Sequence, residues 1–114
     1  MKLVAAHMGG WRNWEQVAEH LLDSSVYLDT AFSLGDITPL EDDLYSPDEL
    51  HMLSQESFCQ LVRAFGCERI LFGTDSPWAD QAAAVAALRS LPLTPRELNH
   101  IFSLNAQKLL GLTQ

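Results

Sequence analysis

Residues 69–78, Arg69-Ile70-Leu71-Phe72-Gly73-Thr74-Asp75-Ser76-Pro77-Trp78, decide how the rest of the chain is read. Three apolar residues run without interruption and stop at a glycine. Unbroken apolarity suits a strand buried on both faces, the pattern of a parallel sheet. The chain opens the same way: Leu3-Val4-Ala5-Ala6 runs into His7-Met8-Gly9-Gly10-Trp11. Between them, Val26-Tyr27-Leu28-Asp29-Thr30-Ala31-Phe32 is rich in β-formers. These runs predict three strands, at about 2–6, 26–32 and 69–73.

Helical signals fill the intervals. Trp14, Val17, Ala18, Leu21 and Leu22 make one apolar stripe, with Asn13 placed as an N-cap. Ser46-Pro47-Asp48-Glu49 reads as a helix start, and a helix with room for a break runs from there to Phe65 and Gly66. Residues 33–46 are irregular and acidic, a pattern of functional loops or lids. After Asp75 an alanine-rich helix is expected over 79–89. Thr94-Pro95-Arg96-Glu97 is a capping box for the next, and Asn105 is placed to cap a last helix with Leu109 and Leu110 inward. Strands alternating with helices predict an α/β fold with parallel pairing and right-handed crossovers.

Composition bounds the function. The chain has 114 residues, 47% of them hydrophobic, and a formal charge of −8. That is one domain's length, so residues 1–114 read as a single domain, and it is far short of the roughly 250 residues of a complete (β/α)₈ barrel. The acidic balance speaks against nucleic acid and against an anionic membrane surface as partners. The longest strictly apolar run, residues 82–88, is well below the roughly 20 residues of a membrane span. No secretory signal opens the sequence. Cys59 and Cys67 fit neither a disulfide framework nor a zinc finger, and read as free thiols of a cytoplasmic protein.

In parallel α/β folds ligands sit at the carboxyl ends of the strands. His7 and Asp75 stand there. His7 reads either as a proton shuttle or metal ligand, or as a polar residue that closes its strand. Asp75 reads either as a metal ligand and base, or as the cap of the helix that follows. Asp29 could reach the same mouth or bond neighbouring backbone. Trp11 and Trp78 could wall a substrate pocket or simply pack over helix starts. His20, His51 and His100 read as surface residues.

The strand exits at His7-Met8-Gly9-Gly10-Trp11 and Gly73-Thr74-Asp75-Ser76-Pro77-Trp78, with Val26-Tyr27-Leu28-Asp29-Thr30 between and Asn105-Ala106 to Leu112 at the end, resemble the C-terminal part of amidohydrolase 2 type proteins. That family comprises metal-dependent TIM-barrel hydrolases and related decarboxylases. The resemblance implies a partial (β/α)₈ barrel, its last three β/α units. It implies His7 as an active-site histidine at the sixth strand, and Asp75 as a metal ligand and proton acceptor at the eighth. It implies a divalent metal, usually zinc, and a small-molecule substrate cleaved by metal-assisted hydrolysis, with non-oxidative decarboxylation the alternative chemistry. The family's His-x-His on the first strand and its fifth-strand histidine have no counterpart here. The chain is therefore expected to act with an N-terminal partner segment, to self-associate, or to be an inactive fragment with a structural or interaction role.

Overall fold

The computed structural model describes residues 2–34, 46, 52–77 and 79–112. Its order is β1 (Val4–Ala5), α1 (Trp14–Leu21), β2 (Tyr27–Asp29), α2 (Gln55–Phe65), β3 (Ile70–Leu71), α3 (Gln81–Arg89), α4 (Pro95–Asn99) and α5 (Asn105–Leu109). The three strands form one parallel sheet in the order β1-β2-β3. The α/β expectation and the parallel pairing hold.

The strands are shorter than the apolar runs that announced them, because their ends bond elsewhere. At β1 the backbone turns into the left-handed region at His7 and Met8, with φ of 58° and 53°. At β3 the Phe72 amide donates to Ile101 O, at 3.0 Å, in place of a strand partner. Register pairs Ala5 with Leu28 and Leu28 with Ile70. Leu28 and Ile70 point into the helices and are fully buried, whereas Leu3 and Val4 are 53% and 44% exposed. Phe58, Leu61, Val62 and Phe65 of α2 close the core over that row, with Val17, Leu88 and Ile101 from other helices. Gly9 is required where it stands. Its φ is +98°, and a Cβ there would lie 2.7 Å from a Val17 methyl.

Arg69 ties the sheet to α1. Its guanidinium lies 4.7 Å over the Phe65 ring and donates to Val26 O, Leu22 O and Leu21 O at 3.0–3.3 Å. A cation is thereby placed at the carboxyl end of α1, where Leu21 O also accepts from Ser24.

Several local expectations are corrected. Asn13 stands at the N-cap position of α1, but its amide donates to Trp11 O rather than capping the helix. The start of α2 is capped by Ser54, whose hydroxyl accepts from Ser57 N. The proposed start at Ser46-Pro47-Asp48-Glu49 and the acidic loop lie almost wholly outside the described residues, as does His51. The Thr94–Glu97 capping box forms as expected.

Asn105 caps nothing. A π-helical turn over His100–Leu104 carries α4 into α5 without a break, and buried Asn105 donates to Cys67 O and Ile70 O at 2.6 and 2.7 Å. His100 is no surface residue: it is half-buried, with Nδ1 3.0 Å from Asn105 Oδ1. Leu110, expected inward, is 70% exposed: nothing among the described residues covers it at the end of α5. Cys59 and Cys67 are buried free thiols, and burial pushes both above the ordinary thiol value.

Two outcomes follow from these ties. Arg69→Met keeps the apolar stem and removes the bonds to three carbonyls. It should lower the urea midpoint by an amount equivalent to at least about 1.5–3 kcal/mol, and an unchanged midpoint would remove Arg69 from the tie. Glu68 lies 2.6 Å from Arg96, and that bond holds its carboxyl below the usual range. A depressed carboxyl contributes stability above its unfolded pKa and loses it as pH falls through the folded value. Both side chains are largely exposed, so the contribution is small. Glu68→Gln should therefore remove a shallow acid-side loss of stability in pH-dependent melts, and added salt should mimic the variant.

Candidate active site at the strand exits

All three strands leave the sheet through a non-glycine residue in left-handed backbone: His7 (φ 58°), Phe32 (φ 52°) and Asp75 (φ 57°). Such backbone costs roughly 1–3 kcal/mol per residue and gathers at functional sites. Here it gathers at the carboxyl edge of a parallel sheet, where such folds bind ligands.

His7 is half-buried and held on every side. Its backbone N–H donates to Asp29 Oδ1 at 3.0 Å. Its carbonyl accepts from the Trp14 indole N–H at 2.8 Å. Its ring lies 5.4 Å from the Phe32 ring, and Nδ1 is 3.0 Å from Ala31 O. A carbonyl oxygen only accepts, so the proton in that bond belongs to Nδ1, and the neutral ring keeps its lone pair on Nε2. A histidine held this way presents one nitrogen as base, acceptor or ligand.

Asp75 is exposed, and no hydrogen bond or ion pair engages its carboxylate among the described residues. The helix-cap reading of Asp75 is corrected: α3 is capped by Asp80, whose Oδ2 accepts from Ala83 N at 2.8 Å.

The middle strand supplies residues that the sequence left undervalued. Asp29 Oδ1 accepts from Ala31 N at 3.0 Å as well as from His7 N. Thr30 is buried; its hydroxyl accepts from Gly73 N and donates to Gly73 O, each at 3.1 Å. Fully buried Ser33 donates to Thr30 O at 2.6 Å. Trp14 looked like one more member of an apolar stripe. The signal for these roles was adjacency of polar residues at a strand's carboxyl end; their partners outside that strand end lie 7 to 43 residues away.

Trp11 is 45% exposed and sends its indole N–H to Met52 Sδ at 3.2 Å, packing against the approach to α2. Trp78 lies outside the described residues. A small cavity of about 40 Å³ lies between the β2 and β3 exits and α3, lined by Thr30, Phe32, Phe72 and Thr74. It has room for a water rather than a drug-sized ligand. Two larger grooves, about 610 Å³ between α1 and α2 and about 790 Å³ beside α2 and Pro92, are lined by neither His7 nor Asp75.

Among the described residues no three His, Cys, Asp or Glu side chains are gathered to hold a metal ion. A catalytic zinc takes three protein ligands and an open position. The described residues therefore do not fit a metal as a self-contained centre.

Comparison with known proteins gives the following. The family model described as Amidohydrolase matches residues 1–112. No curated protein matches the sequence. Among solved structures, a candidate 2-pyrone-4,6-dicarboxylic acid hydrolase from Pseudomonas putida superposes with a TM-score of 0.67 at 17% identity, over 100% of this chain and 44% of that one. A dihydroxybenzoic acid decarboxylase from Polaromonas sp. JS666, with bound manganese and 2-nitroresorcinol, gives 0.64 at 17%, over 99% and 34%. A 5-carboxyvanillate decarboxylase from Sphingomonas paucimobilis gives 0.64 at 17%, over 98% and 34%. The chain thus spans between a third and under half of the length of these structures. At these identities the likeness is one of fold.

Thr30→Val is nearly isosteric and leaves both Gly73 backbone groups without their partner. It should cost about 1–3 kcal/mol in urea melts and speed amide exchange at Gly73. A change confined to a few tenths of that would show Thr30 to be replaceable at the β3 exit.

Proposed function

The chain belongs to the amidohydrolase family whose model spans residues 1–112, and we propose that residues 1–114 form one unit, the last three β/α units of a metal-dependent (β/α)₈ barrel enzyme. The observation that carries this reading is the state of Asp75. It leaves a parallel strand in strained backbone, its carboxylate has no structural task among the described residues, and Asp80 does the capping that would otherwise account for it.

Asp75 is then one donor of a divalent metal centre, zinc by family habit, whose remaining donors come from other units of the barrel. The manganese in the Polaromonas structure supports a divalent metal of this general kind. His7, with its lone pair on Nε2, moves a proton at the substrate. In hydrolysis, water adds across a C–N or C–O bond of a small molecule: its hydroxyl joins the acyl carbon and its proton ends on the leaving nitrogen or oxygen. Asp75 accepts the proton of the attacking water, Nε2 of His7 takes that proton up on its lone pair, and His7 then delivers it to the leaving group, so that both residues end as they began. Trp11 and Trp78 stand beside these exits in sequence and are the candidates to contact substrate.

A second reading is non-oxidative decarboxylation, in which a proton replaces carbon dioxide on the substrate carbon. It is favoured by the names of the Polaromonas and Sphingomonas proteins. The exposed Leu3 and Val4 at the outer edge of β1 are where a preceding strand would pair. The same edge makes self-association the expected behaviour of the chain alone. No helix among the described residues is long and apolar enough to cross a membrane; the free buried thiols suit a reducing cytoplasm.

Asp75→Asn preserves size and removes the charge. Within a protein carrying this chain in a complete barrel, it should lower metal-dependent turnover by at least about 100-fold, whereas unchanged turnover would contradict the assignment. Scoring carbon dioxide release against amide or ester cleavage on a substrate panel separates the two chemistries.

A further inference from the structure

We propose that Asp29 is the positioning residue for His7: its carboxylate fixes which nitrogen of the imidazole carries the proton, and so which one faces the reaction. The inference rests on the reading of His7 as the proton-transferring residue, but its geometry stands apart from that reading.

The contacts form a closed ring. One carboxylate oxygen, Asp29 Oδ1, accepts from His7 N and from Ala31 N, each at 3.0 Å. Ala31 O in turn receives the His7 ring at Nδ1, also at 3.0 Å. A single atom therefore sets the backbone that carries the imidazole and the residue whose carbonyl claims its proton. Bonds to an ionised acceptor are roughly twice as strong as neutral ones. That strength is well used here, because His7 has left-handed backbone to be held in place. Ala31 is buried and cannot easily offer its carbonyl from another direction. Trp14, donating to His7 O, and the Phe32 ring steady the remaining sides.

Charge alone is not what Asp29 contributes to His7. The carboxylate meets the backbone N–H of His7, not its ring, so it works through Ala31. An imidazole free in water favours its proton on Nε2. The ring of contacts reverses that preference and leaves Nε2 as the acceptor. A histidine in the opposite tautomer would present an N–H where a lone pair is needed, and would have to flip to take a proton.

The test is the ¹⁵N chemical shifts of the His7 ring in the 114-residue chain, at a pH of about 9 where imidazole is neutral. The wild-type chain should show the downfield shift of an unprotonated nitrogen at Nε2 and the upfield shift of a protonated one at Nδ1. Asp29→Ala should move the two shifts towards each other or reverse them. Asp29→Asn, which keeps an oxygen acceptor, should hold the wild-type pattern. Should Asp29→Ala fail to fold, Asp29→Glu displaces the carboxylate by one methylene and should also mix the tautomers.

A wild-type ring protonated mainly on Nε2 overturns the proposal whatever the variants do. So does a folded Asp29→Ala chain with the wild-type pattern, or Asn and Ala variants that behave alike. The shifts are read without turnover. An Asp75→Asn enzyme of unchanged activity would therefore overturn the catalytic reading and leave this assignment standing, and an unmoved tautomer does the reverse.

Discussion

The pairing of β2 with a parallel strand on each side is the constraint on which the structure depends. A central strand fixes the height and direction of both neighbours, so whatever leaves its carboxyl end can reach the exits of both. Asp29 bonds across to the His7 turn and Thr30 bonds across to Gly73. Two consecutive residues thus hold both flanking exits in register, one through a carboxylate and one through a hydroxyl.

The rest of the fold supports that arrangement. α2 supplies most of the apolar cover over Leu28 and Ile70. Asn105 and the π-helical turn satisfy the β3 side, taking up the carbonyls of Cys67 and Ile70 and the amide of Phe72. Arg69 does the same for the turn between α1 and β2. In each case a side chain or an irregular turn replaces a missing strand partner, as buried backbone polar groups require. The strained exits at His7, Phe32 and Asp75 persist because the surroundings hold them.

Much of this was legible in the amino-acid order. Unbroken apolar runs located the first and third strands, β-formers located the second, and the capping box at Thr94 marked its helix, because these signals are local. His7 and Asp75 were legible as strand-exit residues for the same reason. The failures share a different cause. Asn105 reads as a cap, but its partners lie 35 and 38 residues back and were invisible to a local rule. Asp75 reads as a cap with equal plausibility until Asp80, five residues on, is seen to do the work. Asp29 offered two readings; the structure takes the one in which it bonds backbone, and that backbone belongs to His7 and Ala31. Leu110 follows the helical stripe, yet nothing among the described residues covers it.

The claim that the end of β2 organises the site is tested most directly by native-state hydrogen exchange. The amides of His7, Ala31 and Gly73 each donate to a side chain at the carboxyl end of β2, Asp29 or the Thr30 that follows it. If that strand end is the organising element, these three should exchange together and as slowly as the buried core amides of Leu28 and Ile70, opening only when the chain unfolds globally. Fast exchange at His7 or Gly73 while Leu28 stays protected would show the exits to be frayed loops, and would contradict the account.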